Sequence, residues 1–240
     1  MHSLQLPPLS AAENLAADEL ILDHCEAGLA GETLLFWEPC ETFVVVGYAN
    51  QVAKEVNVAA CAVRDVPIFR RCSGGGTVVQ MPGGLNYSLI LPISETGPTR
   101  NISAANQFIM ERNRQAISNL LPHAQISVRG HTDLCLGNLK FAGNSQRRRK
   151  NFLLFHGTLL LNCDLALITE LLQMPSMQPD YREDRAHAEF VTNLKLPFEA
   201  VRDALIKEWR AQVSPDHAPL EDVKKLAREK YSTREWNFKF

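Results

Sequence analysis

The chain has 240 residues, 45% of them hydrophobic and 22% charged, with a formal net charge of -2. This composition fits a globular domain with enough length for a real core, and argues against a disordered, fibrous or general nucleic-acid-binding chain. With no charged, apolar, small-residue leader and no apolar run of bilayer length, a cytoplasmic protein with no nucleic-acid or membrane partner is expected.

In chain order, Ser10-Ala11-Ala12-Glu13 has capping-box spacing and predicts a helix to about Cys25. Thr33 to Trp37 and Phe43 to Tyr48 read as strands, the second of fully buried type. Val66 to Arg71 leads as a strand into a run of three glycines. Thr77 to Gln80 and Leu85 to Leu91 read as strands around a Met81-Pro82-Gly83-Gly84 turn. The apolar spacing of Ile102, Ala105, Phe108, Ile109, Ala116, Ile117 and Leu120 predicts a helix over Asn101 to Leu121. Thr132 to Leu136 and Leu139 to Ala142 form a hairpin across Gly137-Asn138. Phe152 to Leu161 is a strand interrupted at His156-Gly157. Asp164 caps a short helix to Gln173, and a loop follows through Pro175, Pro179 and Tyr181 to Arg185. Helices near Phe198 to Gln212 and Leu220 to Tyr231 end the chain. Strands arriving in hairpin-like groups favour α+β over a doubly wound sheet.

The octet Arg70-Arg71-Cys72-Ser73-Gly74-Gly75-Gly76-Thr77 is the first candidate for function. Glycine loses the most backbone entropy on folding, so three in succession suit bare backbone held close to a ligand. Two guanidinium groups beside them point to an anion such as a phosphate, while the plainer alternative is a flexible hairpin turn. The spacing is neither a Walker loop nor a dinucleotide-binding GxGxxG.

The second candidate is Asp133 to Ser145, which sets Lys140 just beyond a tight turn. Period-two alternation gives Leu139 and Phe141 one face and Lys140 the other. Arg147-Arg148-Arg149-Lys150 follows, with Arg147 expected to turn inward and the other three to be solvated. Six scattered cysteines, Cys25, Cys40, Cys61, Cys72, Cys135 and Cys163, form no CxxC pair and no zinc-spaced cluster, and read mostly as small buried hydrophobes.

Together these blocks resemble the lipoate–protein ligase A family of the biotin/lipoate ligase superfamily. The resemblance runs from about Ser10 to Trp236. It rests on the order of Val46-Gly47-Tyr48, the octet, Gly84-Leu85-Asn86-Tyr87-Ser88, Asp133-Leu134, Lys140-Phe141-Ala142-Gly143-Asn144-Ser145, His156-Gly157-Thr158 and Val191-Thr192-Asn193-Leu194. It implies one α+β catalytic domain over 1–240, with a mixed, largely antiparallel sheet and flanking helices. A helical segment at about 197–240 closes it, with no accessory domain.

The resemblance also implies ATP-dependent activation of lipoate to lipoyl-AMP, with Mg²⁺, and transfer to a lysine of a lipoyl-domain acceptor protein. It implies Lys140 as the catalytic cation. It implies nucleotide and adenylate contacts at Arg71, Ser73, Gly74, Gly75, Gly76, Thr77, Gln80, Asn86, Asp133, Gly143 and Arg147. The acyl pocket is implied at Gly47, Tyr48, His156 and Thr158, and Mg²⁺ beside Asp133. Gln80 stands where family members often carry histidine, and a contact role is expected of it. A separate accessory subunit is one expected partner. The rival readings are an octanoyl or lipoyl transferase using a cysteine thioester without ATP, and a non-catalytic binder of lipoate, nucleotide or a lipoyl domain. Neither Met174-Pro175-Ser176-Met177 nor Val128 to Thr132, where related transferases place that cysteine, contains a thiol.

Overall fold

The structure, a computed structural model, describes residues 1–213 and 219–240. The predicted C-terminal segment at 197–240 therefore includes five residues, 214–218, that lie outside the described residues. The strands are β1 (His2–Gln5), β2 (Thr33–Trp37), β3 (Phe43–Val46), β4 (Ile68–Arg70), β5 (Val78–Gln80), β6 (Gly84–Pro92), β7 (Ile126–Arg129), β8 (Asp133–Leu136), β9 (Leu139–Arg148), β10 (Phe152–Leu160) and β11 (Gln212–Val213). The helices are α1 (Ala11–Glu26), α2 (Val52–Glu55), α3 (Val58–Val63), α4 (Ile102–Leu120), α5 (Ala166–Leu171), α6 (His187–Phe190), α7 (Phe198–Trp209), α8 (Leu220–Leu226) and α9 (Arg234–Asn237). A single 3₁₀ turn at Asp180–Arg182 and a π turn at Ala227–Tyr231 complete the set.

Eight strands form the main sheet in the order β11-β1-β2-β6-β10-β9-β8-β7. Pairing is parallel at β11-β1-β2 and antiparallel from β2 onward. A second sheet, β4-β3-β5, carries the chain into and out of the glycine loop. The α+β expectation with a mixed, largely antiparallel sheet holds.

Strand alternation explains the layers. Leu85, Tyr87, Leu89 and Leu91 of β6 join Leu153 and Phe155 of β10 in one core, covered by α4 and α7. Ile90 and Leu154 face the other way, into a core filled by Leu15, Ala16, Ile21 and Leu22 of α1. The capping box starts α1 as expected: Glu13 N donates to Ser10 Oγ, and Ser10 N donates back to the Glu13 carboxylate at 2.8 Å. On that same α1 face, β6 and β10 carry Asn86, Ser88, His156 and Thr158, paired in register as His156 with Ser88 and Thr158 with Asn86. The functional site forms where this face turns from apolar to polar.

Two local expectations are corrected. β10 is not interrupted at His156-Gly157, because its pairing with β6 and β9 runs through both residues. Gly157 is needed there because a Cβ would overlap the Asn144 amide. Arg148 and Arg149 are also not freely solvated. Arg148 donates to Thr99 O at 2.8 Å, and Arg149 pairs with Asp23 at 2.7 Å.

Candidate active site

Lys140 sits near the start of β9, beside the bulge that leaves Phe141 unpaired between Lys140 and Ala142, and it lines the cavity while Phe141 is fully buried. Leu139, expected to share the core with Phe141, is instead 37% exposed, because the β8–β9 ladder shifts register at Leu134/Cys135. Lys140 Nζ lies 2.8 Å from Asp133 Oδ1 on β8, and Tyr181 OH donates to Asp133 Oδ2 at 2.7 Å. Gly143 makes room for the lysine: a Cβ there would meet Lys140 Cε and Nζ at 3.0 Å. Both partners thus come from one hairpin, and the loop after Pro179 closes on it through Tyr181.

The glycine loop forms the facing wall. Arg71 is 7% exposed, and burial pushes its guanidinium down to about 10. Arg71 Nε donates to Ser73 Oγ at 3.0 Å, and Nη2 donates to Gly76 O at 2.7 Å and to Gly74 O. Ser145 Oγ, from β9, also donates to Gly74 O at 2.8 Å. Gly75 has φ +82, a left-handed conformation that favours glycine. Gly47 lies beneath the loop, where a Cβ would overlap the Gly75 carbonyl. The plain-turn alternative for the octet does not describe a loop held this way by its own arginine.

Between the two walls, four polar side chains of the lining are hydrogen-bonded to their neighbours, whereas the Trp37 indole Nε1 is buried without a partner among the described residues. Gln80 Nε2 donates to Asn86 Oδ1 and to Thr158 Oγ1, both at 2.8 Å. Asn86 Nδ2 returns a bond to Gln80 Oε1 at 2.9 Å, and Thr158 donates to Asn86 at 2.6 Å. His156 Nε2 lies 2.5 Å from Ser73 Oγ, and its Nδ1 lies 2.7 Å from Asp18 Oδ2 on α1.

These walls enclose a cavity of about 700 Å³, within the range of small-molecule sites. Its polar end holds Arg71, Gly75, Gly76, Thr77, Asp133, Lys140 and Gly143, and its apolar side includes Leu15, Trp37, Val45, Val79, Leu160 and Leu172. Gln80, Asn86, His156 and Thr158 also line it. Ser73, Gly74, Gly47 and Arg147 lie just outside the wall. Ser73 and Gly47 touch it through Arg71 and Gly75. Arg147 Nη1 donates to Cys72 O at 2.5 Å and stands 3.8 Å from Glu19, bracing the loop from behind.

Tyr48, expected in the acyl pocket, is corrected. Its ring packs against Trp236 and Phe240 with Lys239 above it, away from the cavity. Arg70 is likewise no anion ligand. It is fully buried, and its N–H groups donate to the carbonyls of Gly47, Tyr48, Asn50, Trp236 and Asn237. Adjacent residues on a strand face opposite ways, so Arg71 enters the site and Arg70 anchors the C-terminal segment.

Among the described residues, no cysteine lines the cavity. Cys72 is 3% exposed, and burial, with Glu19 and Asp18 nearby, pushes its thiol up to about 12. Burial also raises the Cys135 thiol. Neither is an activated thiolate. Among the described residues no three His, Cys, Asp or Glu side chains gather to hold a metal ion. Asp133 offers one carboxylate beside Lys140, with one oxygen engaged by Lys140 and the other by Tyr181.

Two residues of the cavity wall, Asp18 and His187, were given no role from the sequence. Of the two, Asp18 carried a signal: an acidic residue on the Leu15–Leu22 face of an alanine-rich helix.

Residues 10–213 match the model of the lipoyl protein ligase A/B catalytic domain. Among curated relatives, lipoate–protein ligase 1 of Staphylococcus aureus is 27% identical over 94% of this chain and 69% of that protein. Lipoate-protein ligase A subunit 1 of Thermoplasma acidophilum is 26% identical over 96% of this chain and 93% of that protein. An octanoyltransferase of Lysinibacillus sphaericus is 26% identical over 96% and 95%. A solved lipoate-protein ligase A bound with ATP superposes with a TM-score of 0.81 at 25% identity, over 99% of this chain and 98% of that one.

Proposed function

The chain belongs to the lipoyl protein ligase A/B catalytic domain family of lipoate ligases and octanoyltransferases, and from that premise we propose that it is an ATP-dependent lipoate–protein ligase. It joins the lipoate carboxylate to the α-phosphate of ATP, releases pyrophosphate, and passes the acyl group from lipoyl-AMP to the lysine amine of a lipoyl domain. Residues 1–240 supply this as one catalytic domain. A relative named as subunit 1 suggests a separate accessory subunit as a second partner.

The observation that carries this reading is Lys140, a cation on the wall of a cavity that no cysteine lines among the described residues. Carboxylate and triphosphate repel each other, and a positioned ammonium offsets both as charge builds on the phosphoryl oxygens. Its ion pair with Asp133 would yield to the phosphates, and Asp133 is the carboxylate that would hold a Mg²⁺, which would supply further charge neutralisation there. The Arg71-braced glycine loop offers backbone N–H groups to the adenylate phosphate. Leu15, Trp37, Val45 and Leu172 suit an apolar acyl chain.

The transferase reading rests on the octanoyltransferase relatives and needs an acyl-thioester on this chain. One assay separates the two. Purified protein with lipoate and MgATP is expected to release pyrophosphate. The same protein with octanoyl-carrier protein and no ATP is expected to show no acyl adduct by mass spectrometry. An adduct lost in Cys72→Ser or Cys135→Ser would overturn the ligase reading.

A further inference from the structure

Asp18 is 3% exposed, yet among the described residues no lysine or arginine pairs with it. A buried carboxylate is costly unless hydrogen bonds replace its hydration. Its two oxygens are met by His156 Nδ1 at 2.7 Å and by Ser88 Oγ at 2.6 Å. His156 and Ser88 are cross-strand partners on β10 and β6, so one helix residue caps a pair fixed by sheet register.

Donor and acceptor counting orders the chain. Asp18 only accepts, so His156 donates from Nδ1. With the imidazole neutral, Nε2 accepts the Ser73 hydroxyl proton at 2.5 Å, and Ser73 Oγ accepts Arg71 Nε–H at 3.0 Å. The line ends on Arg71, whose remaining bonds hold the carbonyls of Gly74 and Gly76. Ser73, His156 and Asp18 thus have the connectivity of a nucleophilic triad. Ser73 is not placed to attack: it is 1% exposed, lies outside the cavity wall and has one lone pair taken by Arg71.

We propose that Asp18 is the positioning residue of this site: it locks His156 in the Nδ1–H tautomer and, through Ser73 and Arg71, sets the shape of the glycine loop that receives the adenylate. The inference rests on the acyl-adenylate reading only for its kinetic consequence. The tautomer is a property of the free protein.

The test is nitrogen-15 NMR of the full chain without substrate, with the His156 ring identified by its loss in His156→Gln. Wild type is expected to show Nδ1–H. In Asp18→Asn, Ser88 keeps the amide oxygen and the NH₂ faces the imidazole, so the ring switches to Nε2–H. Acyl-adenylate formation, or octanoyl transfer if the chain proves a transferase, is then expected to lose about 10²-fold in kcat, with KM for the acyl substrate within about twofold. An Nε2–H ring in wild type overturns the proposal whether or not the variant folds. An unchanged kcat in a variant whose ring has switched overturns it, as does an acyl adduct on Ser73.

Discussion

Lys140 Nζ and Asp133 Oδ1 stand 2.8 Å apart on two adjacent strands of one sheet, so the site's cation is held by backbone register before any ligand enters. Tyr181 binds the second oxygen of Asp133, which leaves the lysine one lobe of the carboxylate and keeps its remaining N–H groups for the cavity. An ammonium fixed this way needs little reorganisation when phosphoryl charge develops.

Lys140→Ala should therefore lower pyrophosphate release by about 10²–10³-fold, the loss typical of one aimed donor. Circular dichroism and melting temperature should change little, because the lysine side chain is partly exposed and buried Asp133 keeps its hydrogen bond from Tyr181 OH. Lys140→Arg should not rescue. Gly143 leaves space for an ammonium, whereas a planar guanidinium is wider and differently directed. Pyrophosphate release that survives Lys140→Ala would remove the residue from the chemistry.

The parts of this site that were legible in sequence lie within single motifs. The glycine octet and the Lys140 hairpin announce themselves because both depend on local backbone, three glycines in one and a two-residue turn in the other. The relationships that were not legible cross long sequence distances. Nothing in the spacing of α1 says that Asp18 meets His156, 138 positions away. Nor does Val46-Gly47-Tyr48 reveal that Tyr48 leaves the motif to join Trp236 and Phe240. Short elements were missed for the same reason. β1 and β7 have four residues each and are strands through their pairing partners, not through a long alternating run.

Gly47→Ala tests whether the loop's position matters. A methyl group there would overlap the Gly75 carbonyl and approach Arg71 Nη2 at 3.3 Å, so the backbone of the loop must move. Overpacking of this kind costs about 1–3 kcal/mol. The larger effect should fall on ligand binding, because a shift of about 1 Å in a positioning group can cost 10²-fold. Calorimetric titration with ATP should show affinity reduced at least about tenfold while the protein stays folded. Unchanged affinity would mean that the loop backbone is not in contact with nucleotide.

Glu19 links the C-terminal segment to the back of the loop and gives a pH signature. Its carboxylate is 4% exposed and accepts from Lys230 Nζ at 2.5 Å and Tyr231 OH at 2.8 Å, with Arg147 and Arg149 at 3.8 and 3.7 Å. Burial opposes its ionisation, yet the bonds to Lys230 and Tyr231 and the nearby cations outweigh that and hold it below the ordinary value of 4.5. The sign follows from linkage. A group whose folded pKa is depressed adds stability above its unfolded pKa, and that contribution is lost as pH falls through the folded value. Urea unfolding of wild type and Glu19→Gln should differ most at pH 6–7, and the gap should narrow progressively below about pH 4.5. The other depressed carboxylates, Glu13, Glu111, Glu170 and Glu221, titrate in both proteins and cancel in the difference. A gap independent of pH would mean that Glu19 contributes through packing alone and that its charge does not tie Lys230 and Tyr231 to the loop.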